Sequence, residues 1–509
     1  MTSDMVYTTP IPFLAIMVSL IAVPLILLSR NRPNLREGWT LAAALVKFAL
    51  ILYLLPAALQ GRIAEFTIIE IARGIDLQLR VDPMGIFFAL VASSLWILTS
   101  FYSIGYVRGA HEKKQTRYFA SFAVCLSATI GIAFSANLLT FLIFYEILSL
   151  ATYPLVVHKE SDEAYRSGRM YLVYALTAGV ILIAAVGWTY LLAGSADFVP
   201  GGLLAGIIED PGIARALFIM FMVGVGVKAG IMPLHSWLPR AMVAPTPVSA
   251  LLHAVAVVKS GVFGVIRIVG FVFGPDTMQA FDLNLILAVF AGATIILASL
   301  IALRQDNLKA LLAYSTVGHL SYIVLGMALL SPDGFLGGIM HLANHATMKI
   351  TLFFCAGAIY VNLHKTEISE LDGIGRTMPW TMSMFAIGAL GLAGVPPING
   401  FVSKLFLCLG ALQADQLIML GILLVSGLLN AAYFFPIIYR AFLRKGDSNA
   451  ARFKEASLSM VVPICIVGVL SVLLGFFPNL FFHFYDLAAA AVDGITGITS
   501  DNVLAGTLP

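Results

Sequence analysis

Apolar runs of about 20 residues recur from one end of this chain to the other, and no other feature limits its fold as strongly. The first, Ile11–Leu28, reads IPFLAIMVSLIAVPLILL. Wound as a helix, such a run crosses a hydrocarbon core about 30 Å thick. Backbone in lipid must satisfy its own hydrogen bonds, which leaves helices or a closed barrel. The runs are continuous rather than alternating, so helices are the reading. Only 11% of the residues are charged, against about 25% in a soluble domain. The chain reads as an all-α polytopic membrane protein in the lipid bilayer; its net charge of +3 says little about partners, and no nucleic-acid partner is expected.

Fourteen spans are expected, at about 11–29, 38–58, 83–106, 117–134, 136–157, 170–192, 213–239, 245–273, 282–303, 309–330, 335–362, 378–413, 415–442 and 457–482. The first lacks a basic leader and a small-residue cleavage site, so it reads as a retained span. One membrane domain covers 1–509, with spans 1–3 in 1–116. Segment 59–82 is expected to form a short hairpin or a surface helix. The four cysteines, Cys125, Cys355, Cys408 and Cys465, lie inside apolar segments without CxxC spacing and read as small core residues. No haem, iron–sulfur, nucleotide or quinone motif is visible, so no cofactor is expected.

Positive charge orients the chain. Connections after odd-numbered spans hold 20 Lys/Arg, and those after even-numbered spans hold 3. The positive-inside rule places the odd connections in the cytoplasm and both termini outside it. Seven bases remain within the spans: Lys47, Arg215, Lys228, Lys259, Arg267, Lys349 and Lys404. Lys47, Arg215 and Arg267 stand near enough to span ends to snorkel to the interface. Lys228, Lys259, Lys349 and the one acid, Glu146, lie about 15–22 Å in, near mid-bilayer. His319 has a similar depth and shares a helix face with Ser315 and Tyr322. His341, His345 and Lys349 stack at i, i+4 and i+8. A single buried lysine can be a packing anchor, and a lone membrane histidine is most often a satisfied interhelical bond. Two His at i, i+4 also suit a metal, but no further ligands support that. Several ionisable groups at one depth point instead to a proton relay. Burial disfavours an ammonium, so such a lysine can release its proton.

Two spans should be broken. Span 7 contains Pro233 and Pro239, and span 12 contains Pro396 and Pro397 in GLAGVPPINGF. Proline removes a helix hydrogen bond and clashes with the preceding turn. Spans 4–8 (117–273) and 9–13 (282–442) form two five-helix sets, with the break in the fourth helix of each. Five is odd, so the sets enter from opposite sides, as in inverted-repeat transporters. The last span, 457–482, stands outside both. Each break carries a lysine, Lys228 or Lys404.

The stretches FYEILSLATYPLV, VKAGIMPLHSWLPRAMVAPTPVSALLHAVAVVKSGVFGVIR, DNLKALLAYSTVGHLSY, HLANHATMKITLFF and GVPPINGFVSKL resemble the antiporter-like subunits of respiratory complex I and of Mrp-type cation/proton antiporters. The resemblance covers nearly the whole chain. It implies a fourteen-helix fold with a hydrated central axis. It implies that Glu146 pairs with Lys228, that Lys259 bridges, and that Lys349 and His319 continue the axis. His253, His341 and His345 support it, and Lys404 is its proton-exchange end. The family uses Lys or Glu at that last position.

IYVNLHKTEISELDGIGRTMPW and the stretch around EASLSMVVPICIVGVLSVLLGFFP look most like the D-type subunit of Mrp antiporters. The resulting expectation is a proton-translocating subunit of a Na⁺/H⁺ antiporter in the cell (inner) membrane, assembled with other membrane subunits. A proton-pumping subunit of a complex I-type oxidoreductase or a membrane hydrogenase is the alternative. A stand-alone or inorganic-carbon-uptake relative, and a scaffold with fossil polar residues, are further readings. Any enzyme activity would belong to the assembly.

Overall fold

The computed structural model describes residues 5–72, 75–445 and 453–497. Arg73 and Arg452, which enter the charge count, and Pro509 lie outside them. Thirteen of the described helices are long and apolar enough to cross a membrane. They are Ile11–Leu28, Pro33–Leu59, Pro83–Gly109, Gln115–Ala133, Leu138–Val156, Asp162–Ala193, Pro211–Ala229, Thr246–Phe273, Leu283–Ala302, Leu308–Ala328, Pro332–Leu363, Leu417–Phe442 and Leu458–Phe476. The remaining expected span, the twelfth, is present as two half-helices, Pro379–Ala393 and Asn399–Gln413.

Local chemistry sets the ends. Asn137, Ser161, Asn307 and Ser331 each accept the backbone N–H three residues on. Such a cap is worth about 1 kcal/mol. Both expected breaks begin at a left-handed glycine, Gly230 (φ +70°) and Gly394 (φ +92°). That conformation carries little steric penalty only in glycine, so the helix stops there. After Gly230 the chain turns through Pro233 and re-enters a short helix, Trp237–Arg240. The Trp237 indole N–H donates to Val227 O at 2.8 Å, folding that helix back on the end it left.

Span 8 is the innermost helix: its most apolar window is wholly buried. It is segmented, with π-helical turns at Leu251–Val255 and Ile268–Phe273 enclosing an α-helical Val257–Arg267.

The segment after span 2 is a hairpin. β2 (Ile63–Ala72) pairs antiparallel with β3 (Ile75–Val81), and β1 (Val6–Thr8) adds in parallel to β2. Alternation puts Leu79 and Val81 into the protein. A last helix, Phe484–Thr496, went unnoticed in the sequence; it buries Phe484, Leu487, Ala488, Ala491 and Ile495.

Two of the bases expected to snorkel are buried among protein partners. Lys47 is fully buried; it donates to Ser19 Oγ and stands 5.0 Å from the centre of the Trp96 ring. Arg267 is also buried, in a bidentate pair with Asp82 at 2.5 and 2.8 Å, ringed by Phe198, Phe263 and Phe271. Lys47 meets Ser19 of span 1, and Arg267 meets Asp82, the residue that caps the start of span 3. Arg215 is exposed, in keeping with the expectation.

Candidate functional site

The four central lysines are held by four different acceptors, none of them a carboxylate. Lys228 lies in the last turn of the long helix of span 7, and its Nζ donates to Tyr145 O at 2.5 Å. The same amine lies 3.2 Å from the centre of the Tyr145 ring. The Tyr145 hydroxyl reaches across to Gly224 O and Val225 O at 3.3 and 3.4 Å. One tyrosine of span 5 therefore seats the lysine and fixes the helix that carries it. Glu146, the next residue, is half-buried and packs on Gly179 of span 6, where a Cβ would lie 2.7 Å from its Oε1. Lys228 thus sits beside Glu146 in the fold but bonds to backbone, with no carboxylate within 4.0 Å among the described residues.

Lys259, on the α-helical middle of span 8, is 2.8 Å from His345 Nδ1. Two residues on, Gly261 lies against the break of span 7: a Cβ there would stand 2.2 Å from Ala229 N. Lys228 and Lys259 are brought together by backbone packing, and no direct hydrogen bond joins them. His345 lies in ring contact with His319, centroids 5.4 Å apart, and the His319 and His341 rings lie side by side at the same separation. His319 Nδ1 is 3.2 Å from His341 Nε2, and His341 Nδ1 is 2.9 Å from Ser403 Oγ. The two histidines four residues apart on span 11 therefore serve different partners.

Lys349 donates to Ser315 Oγ at 2.8 Å. Ser315 is 3.1 Å from the hydroxyl of Tyr433, whose proton also faces Asn430 Oδ1 at 2.5 Å. Lys404, half-buried after the second break, donates to Leu392 O at 2.6 Å. That acceptor is free because the helix stops at Gly394, and the proline beyond cannot supply the missing bond. In a continuous helix Leu392 O would take the N–H four residues on, and residue 396 is proline, which has none. Asn430 Nδ2 shares the same carbonyl at 3.3 Å and also faces His319 Nε2 at 3.3 Å. Asn399 and Asn344 tie this break to span 11, through Asn399 Nδ2 to Thr347 Oγ1 (3.0 Å) and Asn344 Nδ2 to Asn399 O (2.9 Å).

The expected residues thus fall into one buried row. Lys228, Lys259, His319, His341, His345 and Lys349 are each at most 1% exposed, while Glu146 and Lys404 at its two ends are more open. His253 is buried as well, without a hydrogen-bond partner and against Phe353. Sequence reading missed Tyr145, Ser403, Asn430 and Tyr433. An asparagine and a tyrosine three apart within the apolar LLNAAYFF were a usable signal, since a polar face in a span seeks protein. It also missed Lys309, whose amine donates to Met242 O and Ala244 O, both at 2.7 Å, beyond the first break. Amines, imidazoles and hydroxyls at hydrogen-bond spacing can take up and pass protons.

Residues 135–430, more than half of the chain, match the family model described as "NADH:quinone oxidoreductase/Mrp antiporter, TM". NADH-quinone oxidoreductase subunit N of Desulforudis audaxviator is 31% identical over 497 residues, 92% of this chain and 96% of that one. The D-type subunit of the Na(+)/H(+) antiporter of Alkalihalophilus pseudofirmus is 29% identical over 398 residues, 78% of this chain and 79% of that one. A chain of the Mrp complex from Dietzia superposes with a TM-score of 0.86 at 21% identity, covering 98% of both, a likeness of fold. With the matched family model spanning the breaks and most of the buried row, this chain belongs to the NADH:quinone oxidoreductase/Mrp antiporter transmembrane family, whose members are antiporter-like multi-pass membrane subunits.

Proposed function

We propose that this chain is the proton-translocating subunit of a multi-subunit Na⁺/H⁺ antiporter, oriented with both termini outside the cytoplasm. Protons move along Glu146, Lys228, Lys259, the histidines, Lys349 and Lys404. The observation that carries the reading is the buried row of amines and imidazoles bonded to neutral acceptors. A carboxylate brought to Lys228 favours its ammonium, and its withdrawal toward Gly179 releases the proton to Lys259. Where no direct bond joins Lys228 to Lys259, a water carries the hop. Partner subunits follow by analogy with relatives named as subunits of larger assemblies.

A second reading, a proton-pumping subunit of a complex I-type oxidoreductase, rests on the nearly full-length similarity to a subunit N. There the driving force comes from redox partners. Purifying the native assembly, identifying its subunits by mass spectrometry and following ΔpH in inverted vesicles separates the two. Na⁺-driven proton movement with only small membrane subunits supports the first. NADH- or H₂-driven movement with iron–sulfur partners supports the second. No proton movement under any drive ends both.

A further inference from the structure

We propose that Asn430 is a positioning residue of the row: it fixes the tautomer of His319, and through it the direction of the His319–His341–Ser403 bond chain. Span 13 mostly faces outward, with Leu424, Leu428 and Phe435 exposed, yet Asn430 is 1% exposed and Tyr433 is 4% exposed. The amide orientation is determined by Leu392 O. That carbonyl only accepts, so the group 3.3 Å from it is Nδ2, and Oδ1 faces the Tyr433 hydroxyl at 2.5 Å. The same Nδ2 stands 3.3 Å from His319 Nε2. An N–H aimed at that nitrogen requires it to be bare, so the neutral ring carries its proton on Nδ1. His319 Nδ1–H then donates to His341 Nε2 at 3.2 Å, which puts the His341 proton on Nδ1 and directs it to Ser403 Oγ at 2.9 Å. The serine hydroxyl continues the direction to Gly400 O at 3.3 Å.

The same amide joins the two lysine ends of this half. It shares the Leu392 carbonyl with Lys404, and Tyr433 and Ser315 connect it to Lys349. The route from Lys349 to Lys404 through direct hydrogen bonds therefore passes through span 13.

The inference rests on the proton-row reading, so the test separates the two. The full assembly is labelled with ¹⁵N-histidine, and His319 is assigned by its loss in His319→Gln. At a pH where the ring is neutral, His319 should show a bare Nε2 and a protonated Nδ1. A protonated Nε2 in the unaltered protein overturns the proposal outright, whatever any variant does. Asn430→Leu removes the donor and should mix the tautomers and lower proton flux about tenfold or more. Asn430→Asp keeps the shape, replaces the donor with an acceptor, and should invert the tautomer with a similar loss. It carries the test if Asn430→Leu does not assemble. Either variant at wild-type flux with the Nδ1–H tautomer retained also overturns the proposal. Lys404→Ala at wild-type flux would instead sink the proton-row reading, leaving the tautomer result standing.

Discussion

Gly261→Ala is expected to stop proton movement while leaving the protein folded. The added Cβ would stand 2.2 Å from Ala229 N, 2.5 Å from Lys228 C and 2.8 Å from Ala229 Cα. All three are backbone atoms, so no side chain can rotate away. Ordinary contact begins at 3.4 Å, so span 8 must retreat from span 7 by about 1.2 Å. Overpacking of this kind costs about 1–3 kcal/mol. Alanine returns about 1 kcal/mol over glycine in a helix interior. The net loss of stability is therefore small. The functional loss is not, because the moving helix carries Lys259 away from Lys228, and a misplacement near 1 Å can cost about 100-fold in a positioned reaction. The assay is ΔpH formation in inverted vesicles, with assembly on native gels and thermal midpoints measured alongside. Gly318→Ala is the control: beside His319, its Cβ would meet nothing closer than 3.7 Å, and near-normal flux is expected. An assembled Gly261→Ala protein with wild-type flux would refute the claim that backbone approach sets the gap between the two lysines.

At position 404 the expected order of flux is Lys, then Glu, then Ala and Arg near zero, because the site needs a group that can lose its proton; full flux in Lys404→Arg would leave position 404 only a fixed charge. Glu146→Gln should abolish flux with assembly intact, and vesicles of that variant that still move protons would dispense with the Glu146–Lys228 pairing. A cytoplasm-active reporter fused after Pro509 should be silent, following the 20-to-3 charge asymmetry, and a bright one reverses the orientation. His158, buried in the loop after span 5, has its pKa pushed down to about 4, by burial first and Arg117 next. Its neutral ring contributes full stability above about pH 6.5, and as pH falls toward 4 the unfolded chain binds a proton that the folded ring refuses. The native protein should therefore lose at most about 3 kcal/mol over that range. Thermal melts of His158→Gln should be flatter with pH, and equal slopes would remove His158 as the cause.

What the sequence by itself determined is what lipid imposes along one dimension. A hydrocarbon core accepts only continuous apolar helices, so span positions could be read directly, and prolines after glycine marked both breaks because a missing N–H acts locally. The lysines, the glutamate and the histidines announced themselves because ionisable groups in such runs need a reason to be there. Only the tertiary structure decided what each charge touches. Arg267 and Asp82 are 185 residues apart, and Lys47 and Ser19 are 28 apart, so distance from a span end could name neither partner. Lys228 meets a backbone carbonyl rather than the acid beside it. Asn430 joins His319 to a carbonyl left free where span 12 breaks, a junction drawn from spans 10, 12 and 13. Hydropathy and helix breaking are properties of neighbouring residues, whereas a hydrogen bond between helices depends on which faces pack together, and that is settled only when the whole bundle closes.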